Sequence, residues 1–232
     1  GDSVLVPYPS FAEYAREVRL QGATPEFVRY EDLTSADPAD HALAILCNPN
    51  NPTGDAYDPD ELTAFVERSR AAGTPVLADE AFLGFTEFPS LAGTDGVVVA
   101  RSLTKLFGLP GLRAGFAVAT GSLLEKLQAA RRTWNLGTPA MRAGVHSMED
   151  REFVEATRER VAAERCRMAE TLGKRFAVSP SDAPFLLLRV EDVAVDTLVN
   201  RARERGLVVR DATTFRDLDQ HVRVAVRLPE EN

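Results

Sequence analysis

Short apolar runs alternate with stretches of helical period through the first two thirds of the chain. Val4–Pro7, Ala42–Cys47, Pro75–Asp79, Gly96–Ala100 and Ala114–Ala119 are apolar on consecutive residues. That pattern predicts strands covered on both faces. Between them, SFAEYAREVRLQGA (10–23), DPDELTAFVERSRAAG (58–73) and GSLLEKLQAARRTW (121–134) place apolar residues at helical spacing. The second carries its own boundaries, with Asp58 as cap, Pro59 in the first turn and Gly73 after the last. Ser122 is the expected cap of the third. Strand and helix in alternation predict an α/β fold with a mostly parallel sheet. The last third changes pattern. A long amphipathic stretch (149–175) precedes the apolar run 184–190, a helix over 194–206, and strands at 207–210 and 221–227. This predicts a large domain over 1–145 and a small α+β domain over 146–232, entered by the long helix.

Composition narrows the function classes. Of 232 residues 44% are hydrophobic and 27% charged, with a formal net charge of −8 and no basic block. Nucleic acid and anionic membrane are therefore not the expected partners. Two cysteines, Cys47 and Cys166, form no framework, and His41, His146 and His221 are too dispersed for a zinc site. No apolar run reaches the length of a membrane span, so a reduced, cytoplasmic protein is expected. The chain opens inside a strand and closes at LPEEN, so both termini read as truncated.

Four loops follow predicted strands at their carboxyl ends, where open α/β sheets bind ligands. They are PYPSF (7–11), NPNNPTG (48–54), DEAFLGF (79–85) and RSLTKLFGLPGLR (101–113). Each alone has an ordinary reading as a turn, a cap or a solvated loop. None is a Rossmann or Walker A loop, and no phosphate-cradling glycine loop follows the first strand. The last loop holds Lys105, one of three lysines against twenty-four arginines. Lys126 and Lys174 fall on polar helix faces.

Four such loops in this order resemble fold-type-I pyridoxal-phosphate enzymes, the aspartate-aminotransferase superfamily, over nearly the whole chain. The resemblance implies pyridoxal 5′-phosphate as cofactor, attached to Lys105 as an internal aldimine. Asn51 would bond the cofactor ring oxygen and Asp79 the protonated ring nitrogen. Ser102 and Arg113 would hold its phosphate, and Phe11 would stack on its ring. Arg223 would take the substrate carboxylate and Arg210 the substrate phosphate. The chemistry of each residue type is consistent. A carboxylate at a strand end needs a partner, a pyridinium is an electron sink, and a guanidinium is a forked phosphate donor.

Within the superfamily two groups are similar, threonine-phosphate decarboxylases of cobalamin biosynthesis and histidinol-phosphate aminotransferases. RSLTK (101–105), Phe82 in place of a tyrosine, the Trp134-containing loop and Arg227 before the terminal EN resemble the decarboxylases. The implied reaction is decarboxylation of L-threonine O-3-phosphate to (R)-1-aminopropan-2-yl phosphate, by a homodimer acting on a small phosphorylated amino acid. A histidinol-phosphate-type aminotransferase is the alternative. A non-catalytic domain or inactive fragment of the same fold remains a third reading. Trp134 is read as pocket lining or core.

Overall fold

The computed structural model describes residues 1–232 as two sheets with helices packed on them. The first sheet has six strands, β1 (Ser3–Tyr8), β2 (Thr24–Arg29), β3 (Leu43–Cys47), β4 (Val76–Asp79), β5 (Val97–Ser102) and β6 (Gly115–Val118), in the order β2-β1-β3-β4-β5-β6. The first five are mutually parallel, and β6 runs antiparallel to β5. Alternation along the strands divides the core between two faces. Leu5, Ala44, Leu46, Val76, Ala78, Val97 and Val99 join Phe65 and Val66 of α2 (Pro59–Ala72) on one side. Val4, Val6, Ile45 and Cys47 join Tyr14, Ala15 and Val18 of α1 (Glu13–Leu20) on the other. Both faces are covered, which is why these strands read as unbroken apolar runs.

Helix α2 begins and ends where the sequence predicts. Asp58 accepts hydrogen bonds from the backbone N–H of Asp60 and Glu61, Pro59 opens the first turn, and Gly73 closes the helix at φ 78°. Helix α4 (Gly121–Ala130) corrects an expectation. Ser122 lies inside it; Thr120 is the N-cap and makes no side-chain cap bond. Trp134 is not core: it is 97% exposed, at φ 54°. Strand β2 had no signal in the pattern. It is an edge strand with a mostly exposed sequence, TPEFVR, so it carries no apolar run.

The second sheet is antiparallel, in the order β7 (Ala177–Val178), β8 (Phe185–Arg189), β10 (His221–Ala225), β9 (Arg210–Asp211). Helix α3 (Leu103–Leu106) lies between β5 and β6; α4, α5 (Thr138–Glu149) and α6 (Arg151–Leu172) run between β6 and this sheet, and α7 (Val195–Glu204) joins β8 to β9. The long helix starts at Asp150, whose side chain accepts from Phe153 N–H. No helix is long and apolar enough to cross a membrane.

A shared apolar cluster joins the sheets. Phe82 and Phe85, after β4, pack with Val161 of α6, Phe185 of β8 and Val226. Gly54 makes a second junction. A Cβ there would lie 2.1 Å from Ser181 Oγ, and its φ is 86°. Its carbonyl accepts from Asp182 N–H at 2.8 Å. Only glycine permits that approach. It seats the 48–54 loop against the second sheet.

Candidate active site

The four loops meet at the carboxyl edge of β1, β3, β4 and β5. Strand register sets their spacing. Cys47 pairs with Asp79, and Asp79 with Ala100, so the ends of β3, β4 and β5 lie side by side.

The first two loops are fastened by a residue that the sequence did not single out. Asn50 is fully buried. Its Oδ1 accepts from Ser10 Oγ at 2.8 Å, and its Nδ2 donates to Pro9 O and Thr53 Oγ1, both at 2.9 Å. Asn50 thus spends its side chain on structure and leaves its neighbour Asn51 to face outward. Asn51 Oδ1 accepts a hydrogen bond from Arg223 Nη1 across the junction between the sheets. This contact brings together two residues far apart in the chain, both expected at the site.

Arg223 and Arg210 are Cα partners on β10 and β9. Neither forms an ion pair. Arg223 is partly buried over the Phe185 ring, 4.7 Å from its centroid. Burial, then the positive charge of Arg210, pushes its pKa down from the ordinary value. Arg210 donates to Thr214 Oγ1 at 3.1 Å. Two guanidiniums side by side without a carboxylate form a site for anions.

Asp79 ends β4 half-buried. Its Oδ1 accepts from Ala81 N–H at 3.0 Å and its Oδ2 from Tyr14 Oη at 2.6 Å. Phe11 is 41% exposed and meets the Tyr14 ring edge-on, with centroids 5.6 Å apart. Glu80, next in sequence, is turned inward and 2% exposed. It accepts from Ser90 Oγ at 2.6 Å and Leu91 N–H at 2.8 Å, and pairs with Arg101 at 3.1 Å. Adjacent acids therefore serve different purposes, one facing the loop cluster and one tying β4 to β5.

Lys105 lies on the short helix α3, exposed, with its Nζ 5.6 Å from the centre of the Phe82 ring. Ser102 caps that helix, with its Oγ 2.7 Å from Thr104 Oγ1 and accepting from Thr104 N–H at 3.3 Å. Leu103 N–H donates to Ala114 O at 3.1 Å, which returns the chain beside Ser102 just after Arg113. Arg113 sits at φ 51°, exposed, and its only side-chain bond is to Pro110 O at 3.3 Å. Lys105 and Asp79 share no hydrogen bond; Phe82, three residues after Asp79, is the ring beside Lys105 Nζ. A cavity of about 500 Å³ opens beside Lys105, lined by Phe82, Phe107, Phe153, Val161 and Arg160 among others. Asp79, Asn51 and Arg223 do not line it, so it adjoins the loop cluster without being the same space.

The donor set fits pyridoxal phosphate. Asp79, Lys105 and Arg113 are charged groups with no oppositely charged protein partner. They offer an acceptor for a cationic ring nitrogen, an amine, and a fork for a phosphate.

Comparison with known proteins places these loops in a lineage. The family model described as aminotransferase class I and II matches residues 1–232. A protein of Caldanaerobacter subterraneus subsp. tengcongensis named "Putative threonine-phosphate decarboxylase" is 34% identical, covering 98% of this chain and 67% of its own. The crystal structure of histidinol-phosphate aminotransferase from Clostridium acetobutylicum superposes with a TM-score of 0.91 at 26% identity, over 99% of this chain and 74% of that one. L-threonine-O-3-phosphate decarboxylase from Porphyromonas gingivalis gives 0.89 at 26% identity, over 99% and 73%. The chain thus spans about two thirds to three quarters of these relatives.

Proposed function

Because the chain belongs to the aminotransferase class I and II family, whose enzymes work with pyridoxal 5′-phosphate, we propose that it decarboxylates L-threonine O-3-phosphate. The observation that carries this reading is the Arg210–Arg223 pair. Two unpaired guanidiniums on neighbouring strands match a substrate with two anionic ends, a carboxylate and a phosphate. Histidinol phosphate has only one anionic end.

The cofactor, when bound, supplies an electron sink for the charge left on the substrate α carbon. The chain's residues do the rest. Lys105 would offer the amine that binds the cofactor and would then move protons. Asp79 would accept from a cationic ring nitrogen, Asn51 would bond the ring oxygen, and Phe11 would offer a flat apolar face. Ser102 and Arg113 would hold the cofactor phosphate. Arg223 holds the substrate carboxylate and Arg210 its phosphate, and together they decide which bond to the α carbon is presented for cleavage. Phe82 contributes no hydroxyl; it is buried edge-on against Phe185, 5.1 Å between centroids. The reading includes a homodimer, a cytoplasmic location and the division into domains at 1–145 and 146–232.

A histidinol-phosphate aminotransferase is the second reading, favoured by the superposition on the Clostridium acetobutylicum enzyme. Incubation of the holoenzyme with threonine O-3-phosphate should release CO2 in step with product amine. Amino transfer from histidinol phosphate, with no CO2 from threonine phosphate, would replace the first reading with the second.

A further inference from the structure

We propose that Tyr14 is a positioning residue for the cofactor. Its hydroxyl holds the Asp79 carboxylate in one orientation and its ring sets the edge of Phe11. The inference rests on the assignment of Asp79 to the cofactor nitrogen.

Tyr14 stands on the buried face of α1, in the second position of the helix, 9% exposed among Val4, Val6, Ile45 and Cys47. Its Oη crosses from α1 to the end of β4 and lies 2.6 Å from Asp79 Oδ2. Ala81 N–H occupies the other carboxylate oxygen. With one donor on each oxygen, rotation of the carboxylate about its own axis breaks at least one bond. The remaining acceptor capacity is therefore presented in a fixed plane. Burial, with Cys47 and Asp79 alongside, pushes the Tyr14 phenol well above its ordinary value, so it stays a proton donor throughout the working range. A donor to a carboxylate also lowers the proton affinity of that carboxylate. The same bond moderates how strongly the carboxylate would draw a proton from the cofactor ring nitrogen. The same ring meets Phe11 edge-on, so one side chain touches the elements for both the face and the nitrogen of the cofactor.

Tyr14→Phe removes the hydroxyl and keeps the ring. In the holoenzyme it should weaken pyridoxal phosphate about tenfold. It should also raise the midpoint of the pH titration of the bound cofactor's visible absorbance by about half a unit. Should Tyr14→Phe fail to fold, 3-fluorotyrosine at position 14 keeps the shape with a more acidic hydroxyl and should move the midpoint the opposite way. In an Asp79→Asn background Tyr14→Phe should produce no further shift. A midpoint that moves with Asp79→Asn and not with either change at 14 overturns the role of Tyr14. A midpoint that Asp79→Asn itself leaves in place overturns the Asp79 assignment, and the inference with it.

Discussion

Arg223 sits between Arg210, the ring of Phe185 and Asn51 Oδ1. Its fork can serve Asn51 and a ligand anion at once, which an ammonium cannot do with the same geometry. Arg223→Lys keeps the charge and loses the fork. The expected result is a fall of about ten- to a hundredfold in kcat/KM, mostly through KM. A loss of similar size in the affinity for pyridoxal phosphate would instead place Arg223 on the cofactor. At this scale, residue type and loop position marked Asn51, Asp79 and Lys105 as candidates in the sequence, and the family resemblance added Arg223, which the structure brings into contact with Asn51. Asn50, Tyr14 and Glu80 were not legible. Their work is a polar contact with a residue elsewhere in the chain: Asn50 accepts from Ser10, Tyr14 donates to Asp79, and Glu80 pairs with Arg101. Adjacency to Asn51 or Asp79 was the only hint for Asn50 and Glu80.

Strands announced themselves where the sequence is an apolar run, as in β1, β3 and even the exposed edge strand β6, and failed to where it is not, as in the edge strand β2. Helix ends were legible at α2, where the cap is a local side-chain bond. They were misread at α4, where the backbone of Thr120 begins the helix without one. Coupling between elements depends on buried polar groups. Glu80 ties the turn after β4 to the 90–91 segment and to Arg101 of β5, which precedes the lysine loop. Glu80→Ala strands the Ser90 hydroxyl, the Leu91 N–H and the Arg101 guanidinium together. It should cost about 3 kcal/mol, read from urea denaturation. Glu80→Gln, which can keep two of the three contacts, should cost clearly less.

Across the whole molecule, several protons are held by burial. Burial is the first cause that raises the phenols of Tyr14, Tyr30 and Tyr57, and it pushes the Cys47 thiol up to about 12. The unfolded chain releases these protons near their ordinary values, 9.0 for the thiol and 10.0 for the phenols, while the native state keeps them. Folding stability is therefore complete below those values and falls as pH rises past them. The thermal midpoint should drop steadily from about pH 9 towards 12. Cys47→Ala should delay the onset towards the phenol range. A midpoint flat across that interval would mean these groups are open to solvent.

The sequence by itself determined the class of fold and which residue types stand in the loops. Strand burial and helix caps are written in neighbouring residues, and an amine, a carboxylate and a forked cation cannot be replaced by other residue types. The tertiary structure alone decided which groups meet. The Asn51–Arg223 contact, the pairing of Arg223 with Arg210 and the bond from Tyr14 to Asp79 each join segments distant in the chain. Such contacts depend on strand register and on the seating of one sheet against the other at Gly54 and Phe82. No local pattern encodes a distance between segments, so the candidate residues were readable before the structure and the geometry between them was not.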